Sequence, residues 1–320
     1  MKPWFKGRPQ SENRVGVTIG AKQVTLAHIE TRAGRPHLLN CRSAAFDSEK
    51  SAPRVLSRLV KECNLEGKRC NFVLPAHDYN LLLVEAPDVQ ASELRAAARW
   101  KVKDLLDGKP EDMAIDLFHV PAEAYRGRKM VYVVVSPNAR IRELVAMIEA
   151  SGLELESIDI PELALRNIAH QFAGDSRGVA FMELRESGST MNITRGGDLF
   201  LSRRINSKLD ANVMNSPQWD SIFSRLVLEI QRSLDYYESQ MGQDAIEQLI
   251  LIERRYDGPA LAQALNAELI PQVQILDIEQ SLSSDVRLPP ELQEVACLAV
   301  GATLRAFALE SAEENNEVTA

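Results

Sequence analysis

The stretch Thr18-Ile19-Gly20-Ala21-Lys22 lies in the bend of a strand, turn and strand pattern at 14–30, "RVGVTIGAKQVTLAHIE". A glycine between two strands lets backbone amides close on a phosphate, because no Cβ stands in the way. Such a hairpin ordinarily carries a carboxylate two residues before its glycine, placed to orient a metal ion and offset its charge. Here that position holds Thr18, a neutral hydroxyl, while Gly20 is kept and Lys22 offers a cation at the turn. A second meander at 178–205 contains Glu183, Ser187 and Gly188, and a third turn at 253–258 ends in Gly258 before a helix. Hydroxyl, lysine and glycine are residue types that phosphate chemistry uses, so the first hairpin raises the question of a phosphate loop.

Other chemistries have no foothold. No GxxxxGK[ST], GxGxxG, HExxH or GxSxG occurs. His28, His37, His77, His119 and His170 are scattered and read as surface or structural residues. Asp104, Asp107, Glu111, Asp112 and Asp116 form an acidic run across a helix end and loop, the pattern of a solvated face rather than a metal site. Cys41, Cys63, Cys70 and Cys297 make no CxxC and read as reduced thiols. With 37 basic and 45 acidic side chains the net charge is −8, which argues against a nucleic-acid partner held by a broad basic face. No apolar run approaches a membrane span and no signal-peptide core is present, so the chain reads as soluble and not exported.

Strands alternating with helices predict an α/β protein. Strands are expected at 14–46, a helix at about 51–64, then strands at "RCNFVLPA" and "YNLLLVEAP". Ser92 is the expected cap of the helix "SELRAAARWKVKDLLD", whose Leu94, Ala98, Val102 and Leu105 share one face. Ser216-Pro217 is the expected start of the longest helix, to about Met241, with Trp219, Ile222, Phe223, Leu226, Ile230, Leu234 and Tyr237 as a core stripe. The meander at 178–205 repeats the opening one, down to "TRAG" at 31–34 and "TRGG" at 194–197, which suggests a duplicated fold. Residues 1–13, with Trp4-Phe5 among basic residues, are predicted to be a flexible tail, and the acidic 310–320 to be disordered.

The order of elements from Arg14 to Phe307 resembles the actin-like ATPase superfamily, and within it the PilM-like scaffolds of type IV pilus assembly. The segments that carry the resemblance are "ELRAAARWKVKDLLDGKPEDMAIDLFHV" (93–120), "VVVSPNARIRELVAMIEASGLELESIDIPELALRNI" (133–168) and "ACLAVGATLRAF" near the end. The weak motifs and soluble form look most like the MSHA branch of that family. The resemblance implies a two-lobed, duplicated RNase H-like fold. The first lobe would span 14–173 with a small inserted α/β subdomain at about 76–152, and the second 174–309. It also implies a site where two hairpins clasp the β- and γ-phosphates of ATP and an adenosine loop follows. Against the family pattern, Thr18 replaces the first acid and Thr25 the lysine. In the second hairpin Glu183 keeps an acid, Arg185 replaces the glycine, Glu186 would repel phosphate, and Gly188 is displaced. Glu253-Arg254-Arg255-Tyr256 stands where the family has its glycine pair.

All three motifs are altered where the chemistry acts, so no catalytic residue, metal or cofactor is expected. The cleft is expected to survive as a shell of Thr18, Gly20, Lys22, Glu183, Ser187, Gly188 and Gly258. The resemblance implies a non-catalytic cytoplasmic scaffold, peripheral on the inner membrane. Its implied partners are the cytoplasmic N-terminal peptide of a PilN-like protein and the assembly motor. The groove between insert and first lobe would take the peptide, with Leu83, Phe118 and Trp100 as probes that read foremost as core. The alternatives are an ATP-binding switch, in which ATP with Mg²⁺ controls partner binding, and a small-molecule kinase of the same superfamily.

Overall fold

The computed structural model describes residues 13–106, 108–171, 177–184, 189–205, 213–252 and 257–307. The two tails, the expected boundary between lobes at 173–174, Asp107, Arg185 to Gly188 and Glu253 to Tyr256 lie outside them.

The first sheet is built from β1 (Arg14–Ile19), β2 (Gln23–Arg32), β3 (Arg35–Ala45), β4 (Arg69–Val73) and β8 (Glu154–Asp159). Its order is β3-β2-β1-β4-β8, with the two-residue β14 (Ser283–Ser284) added beside β3. The second sheet contains β9 (Val179–Glu183), β10 (Ser189–Arg195), β11 (Asp198–Ile205), β12 (Gln248–Ile252) and β13 (Gln272–Ile275), in the order β11-β10-β9-β12-β13. Both sheets therefore have three antiparallel strands followed by two parallel ones. The turns that suggested duplication also match. Ala33 and Gly34 have φ of 50° and 77°, and Gly196 and Gly197 have 59° and 85°. Two consecutive left-handed residues are what a two-residue hairpin of this twist requires.

The strands alternate by design of their sequence. In β1, Val15 and Val17 enter a core with Leu56, Leu59 and Val60 of α1 (Ala52–Glu62) and Leu144 and Ile148 of α3 (Asn138–Ala150). The residues between them face the other way, onto α8 (Pro290–Thr303). Together with α4 (Pro161–Ala169), α8 fills the space between the sheets. Ala27, Ile29 and Leu38 of the first sheet and Val179, Phe181 and Ile250 of the second pack into one core with both helices. On the far side of the second sheet lie α5 (Trp219–Asp235) and α6 (Gly258–Glu268). The result is five layers, helices and sheets in alternation, with the last helix of the chain lying on the first sheet.

Close approach in the middle layer depends on two glycines. A Cβ on Gly16 would lie 1.9 Å from the Ala299 carbonyl oxygen, and one on Gly301 would lie 2.2 Å from that of Ala164. Buried amides hold the end of α8. Asn71 Nδ2 donates to the Ala302 carbonyl (2.8 Å), Asn167 Nδ2 to that of Gly301 (3.0 Å), and Ser157 Oγ to Asn71 Oδ1 (2.8 Å). These satisfy last-turn carbonyls that a helix cannot satisfy itself.

A third sheet, β5-β7-β6, is made by β5 (Asn80–Glu85), β6 (Met113–His119) and β7 (Met130–Pro137). On one face it carries α2 (Leu94–Val102), through Ala98 and Val102. With the other face it touches both lobes: Leu81 and Phe118 pack against the cores of both, and Tyr132 Oη accepts from the Ser202 amide at 2.9 Å.

Two expected caps are corrected. The Glu93 amide bonds to the Gln90 carbonyl at 2.9 Å, so a turn winds the chain into α2 and Glu93, not Ser92, is the capping residue. The Ser216 carbonyl is taken by the Trp219 amide at 3.0 Å, so α5 starts at Trp219 and Pro217 precedes it. The stripe on α5 is core, as expected, and the helix widens into a π turn at Tyr236–Gln240.

Candidate functional site

The first hairpin closes with the Gly20 amide on the Gln23 carbonyl (2.9 Å), and the Phe46 amide on the Lys22 carbonyl (2.8 Å). Gly20 has no left-handed φ, and the nearest atoms to a Cβ built there are 3.7 Å away. The turn itself would therefore accept other residues. Gly20 and Lys22 are both exposed. Thr18 is half-buried and lies on the same side of β1 as Gly16, toward α8. It pairs with Thr25 of β2 and Val73 of β4, and Val73 pairs with Asp159 of β8. A row of side chains thus crosses the carboxyl ends of the parallel strands, where open α/β sheets bind ligands. Thr25 extends it, with Oγ1 3.0 Å from Ser43 Oγ.

Glu183 occupies the corresponding position in the second sheet. It ends β9, pairs with Thr190 and Ile252, and shares the inward face with Val179 and Phe181. At 2% exposure its carboxylate is sealed in the fold. Thr18 and Glu183, matched to the two hairpins by the family resemblance, thus stand at equivalent sites in the two sheets. Gly258 is buried in the first turn of α6. Just before it, the Asp257 carboxylate accepts from the Ala260 amide at 3.1 Å. That side chain places a negative charge on the helix end where a phosphate or other anion would otherwise be favoured. Ser187 and Gly188 are outside the described residues.

Asp159 is the acid that motif reading missed. It is 2% exposed, and Oδ2 lies 3.0 Å from Arg305 Nη1, two residues past α8, while Oδ1 accepts from the Ile160 amide at 3.2 Å. The inner face of the first sheet thus has a carboxylate, but it is bound to a guanidinium from the end of the chain. Its only trace in sequence was its place at the start of "DIPELAL". Arg305 carried no signal.

Trp100, expected to be core, is 70% exposed, with Lys103 Nζ 5.5 Å from its ring centre. Leu105, placed by periodicity on the buried face of its helix, is exposed, because the helix tightens into a 3₁₀ turn at Lys103–Leu105 and rotates it outward. Among the described residues no group of three or more His, Cys, Asp or Glu is placed to hold a metal ion. All four cysteines are free, and burial pushes the Cys41 and Cys70 thiols up to about 12, far from reactive thiolates. Among the described residues no helix is long and apolar enough to cross a membrane.

No family model matches the chain, and a search of curated proteins finds no match either. Solved structures do match. A PilM-PilN type IV pilus biogenesis complex has TM-score 0.71 at 16% identity, covering 93% of this chain and 99% of that one. A Bacteroides thetaiotaomicron protein of unknown function with an actin-like ATPase fold has TM-score 0.50 at 10% identity, covering 92% and 98%. The cytoplasmic domain of EpsL, from the type II secretion system of Vibrio cholerae, has TM-score 0.47 at 12% identity, covering 89% and 94%. Two sheets of one topology, joined by helices that cross between them, make this chain an actin-like ATPase fold of two lobes.

Proposed function

We propose that the chain is a non-catalytic cytoplasmic scaffold of a type IV pilus biogenesis machine. By the same reading it is of the MSHA type, similar to MshI, and docks on a PilN-like inner-membrane protein through that protein's cytoplasmic peptide. There it would link the assembly motor to the membrane platform. The observation that carries the non-catalytic part is the state of the acids on the inner faces. Thr18 replaces one, and Asp159 is held by Arg305 at 3.0 Å. Glu183 keeps its carboxylate but is sealed at 2% exposure, so a metal-bound triphosphate would find no open carboxylate at these three positions to orient its waters. Likeness to the PilM-PilN complex over 93% of the chain supports the pilus part. Of the three probes named for the groove beside the insert, Leu83 and Phe118 pack inward, while Trp100 is exposed on α2, on the face of the third sheet away from the lobes.

Equilibrium binding of a fluorescent ATP analogue with Mg²⁺ tests the first part. No saturable binding is expected up to millimolar concentration, for the wild type or for Thr18→Asp, because the other two motifs stay altered. Micromolar affinity in the wild type would establish the ATP-binding switch instead. Calorimetry with the N-terminal peptide of the PilN-like protein tests the second part, and saturable binding indifferent to ATP is expected.

A further inference from the structure

One edge of the first sheet is half covered. Ser283 and Ser284 of β14 pair with His37 and Leu38 of β3, and the Asp285 amide donates to the Leu38 carbonyl at 2.9 Å. Among the described residues no strand pairs with that side of β3 beyond Leu38. The register slips at this point: Leu38 faces Ile29 and Asn40 faces His28, so Leu39 is bulged out. Beyond the bulge the Phe46 amide bonds inward to the Lys22 carbonyl at 2.8 Å. Alternation then turns the backbone groups of Asn40, Arg42 and Ala44 toward β2, and those of Cys41, Ser43 and Ala45 outward. Three residues in a row of five therefore offer amides and carbonyls along an open edge.

Beside this edge runs a groove of about 320 Å³ between β3 and the last turns of α1. Ala44, Leu59 and Cys63 line it, and Asn40, Arg42 and Arg58 supply its polar rim. The exposed surface here is basic, in a chain of net charge −8. It carries Arg42, Arg54, Arg58 and Lys61, against Glu62, which pairs with Arg58 at 3.7 Å.

We propose that residues 41–45 of β3 accept an extended peptide from a partner protein as an added strand, with acidic side chains of that peptide seated between Arg42 and Arg58. Backbone bonds would provide affinity, and every second side chain would enter the groove and provide selectivity. Charge decides among the occupants. A second copy of this chain, pairing edge to edge, would set these arginines against one another. No residue of the third sheet or of α2 lines this groove.

The test is panning of a random heptapeptide phage library on the immobilised full chain, with excess soluble Ala45→Pro variant as competitor. Proline at an outward-facing edge position removes one donor and blocks strand addition without breaking the ladder to β2, and circular dichroism checks that the variant is folded. The expected result is enrichment of peptides alternating apolar and acidic residues. Synthetic versions should protect 41–45 from hydrogen exchange and bind Arg58→Glu at least tenfold more weakly. Failure to enrich, enrichment without acids, or protection elsewhere would overturn the proposal. So would faster exchange at 41–45 on deleting 308–320, which would place the chain's own tail there, or concentration-dependent dimers lost in Ala45→Pro.

Discussion

Replacing Asn71 by leucine should expose how strongly the last helix is tied to the first sheet. Asn71 is 1% exposed and bonds on both sides: to the Ala302 carbonyl at 2.8 Å and from the Ser157 hydroxyl at 2.8 Å. Leucine is close in size, so little volume changes, but both partners lose their bond. A buried group left unsatisfied costs about 1–3 kcal/mol. The Ala302 carbonyl, in a buried bond, should lie toward the top of that range, and half-buried Ser157, able to turn to water, toward the bottom. The expected loss is about 2–4 kcal/mol, seen as a lower urea midpoint at unchanged slope. Adding Ser157→Ala should recover part of it, because the orphaned hydroxyl goes with its partner; a coupling of at least about 0.5 kcal/mol is expected. A loss under about 1 kcal/mol, with no coupling, would refute the assignment of Asn71 as a clasp on α8.

Gly301→Ala should fail to give soluble protein or lose more than about 3 kcal/mol, beyond ordinary overpacking, because the intruding atom meets backbone at 2.2 Å; a wild-type urea midpoint would show that α4 and α8 do not pack this closely. Trp100→Ala should change stability by less than about 0.5 kcal/mol, while the wild-type tryptophan, 70% exposed, should be readily quenched by iodide. Asp285 accepts from Arg32 and then His37, which hold its carboxyl down at about 2, below an ordinary 3.8. Its contribution is therefore present above about pH 4 and lost as pH falls toward 2, so the urea midpoints of wild type and Asp285→Asn should converge over that window.

Much of this fold is written locally. The two meanders announce themselves through strand alternation and through the turns at 33–34 and 196–197, whose left-handed residues fall where "TRAG" and "TRGG" put them. The stripe on α5 could be read because one face carries nearly all its large apolar residues, Leu228 alone among them standing exposed. Trp100 misled because large apolar residues usually mark core, whereas α2 buries Leu94, Ala98 and Val102, leaving Trp100 on the far side. Leu105 misled because periodicity assumes one helix geometry to the end. The candidate site divides the same way. Thr18 and Glu183 were found through the hairpin patterns of the family resemblance, but the pairing of Asp159 with Arg305 joins parts of the chain that only the finished fold brings together.

Ala27, Ile29, Leu38 and Cys41 of the first sheet are covered by Ala296, Cys297 and Val300, near the end of the chain. During synthesis the five main strands of the first sheet can pair as soon as β8 has left the ribosome, yet much of one face stays wet until residues 296–300 are made. The amino-terminal half is therefore not a free-standing module. Cut at the junction between lobes, it would present a sheet with a bare apolar face and an empty groove at Gly16, a form expected to aggregate or be degraded. A protein built this way completes its first lobe only after Ala296 to Val300 have been made, so a copy truncated before them lacks the finished fold.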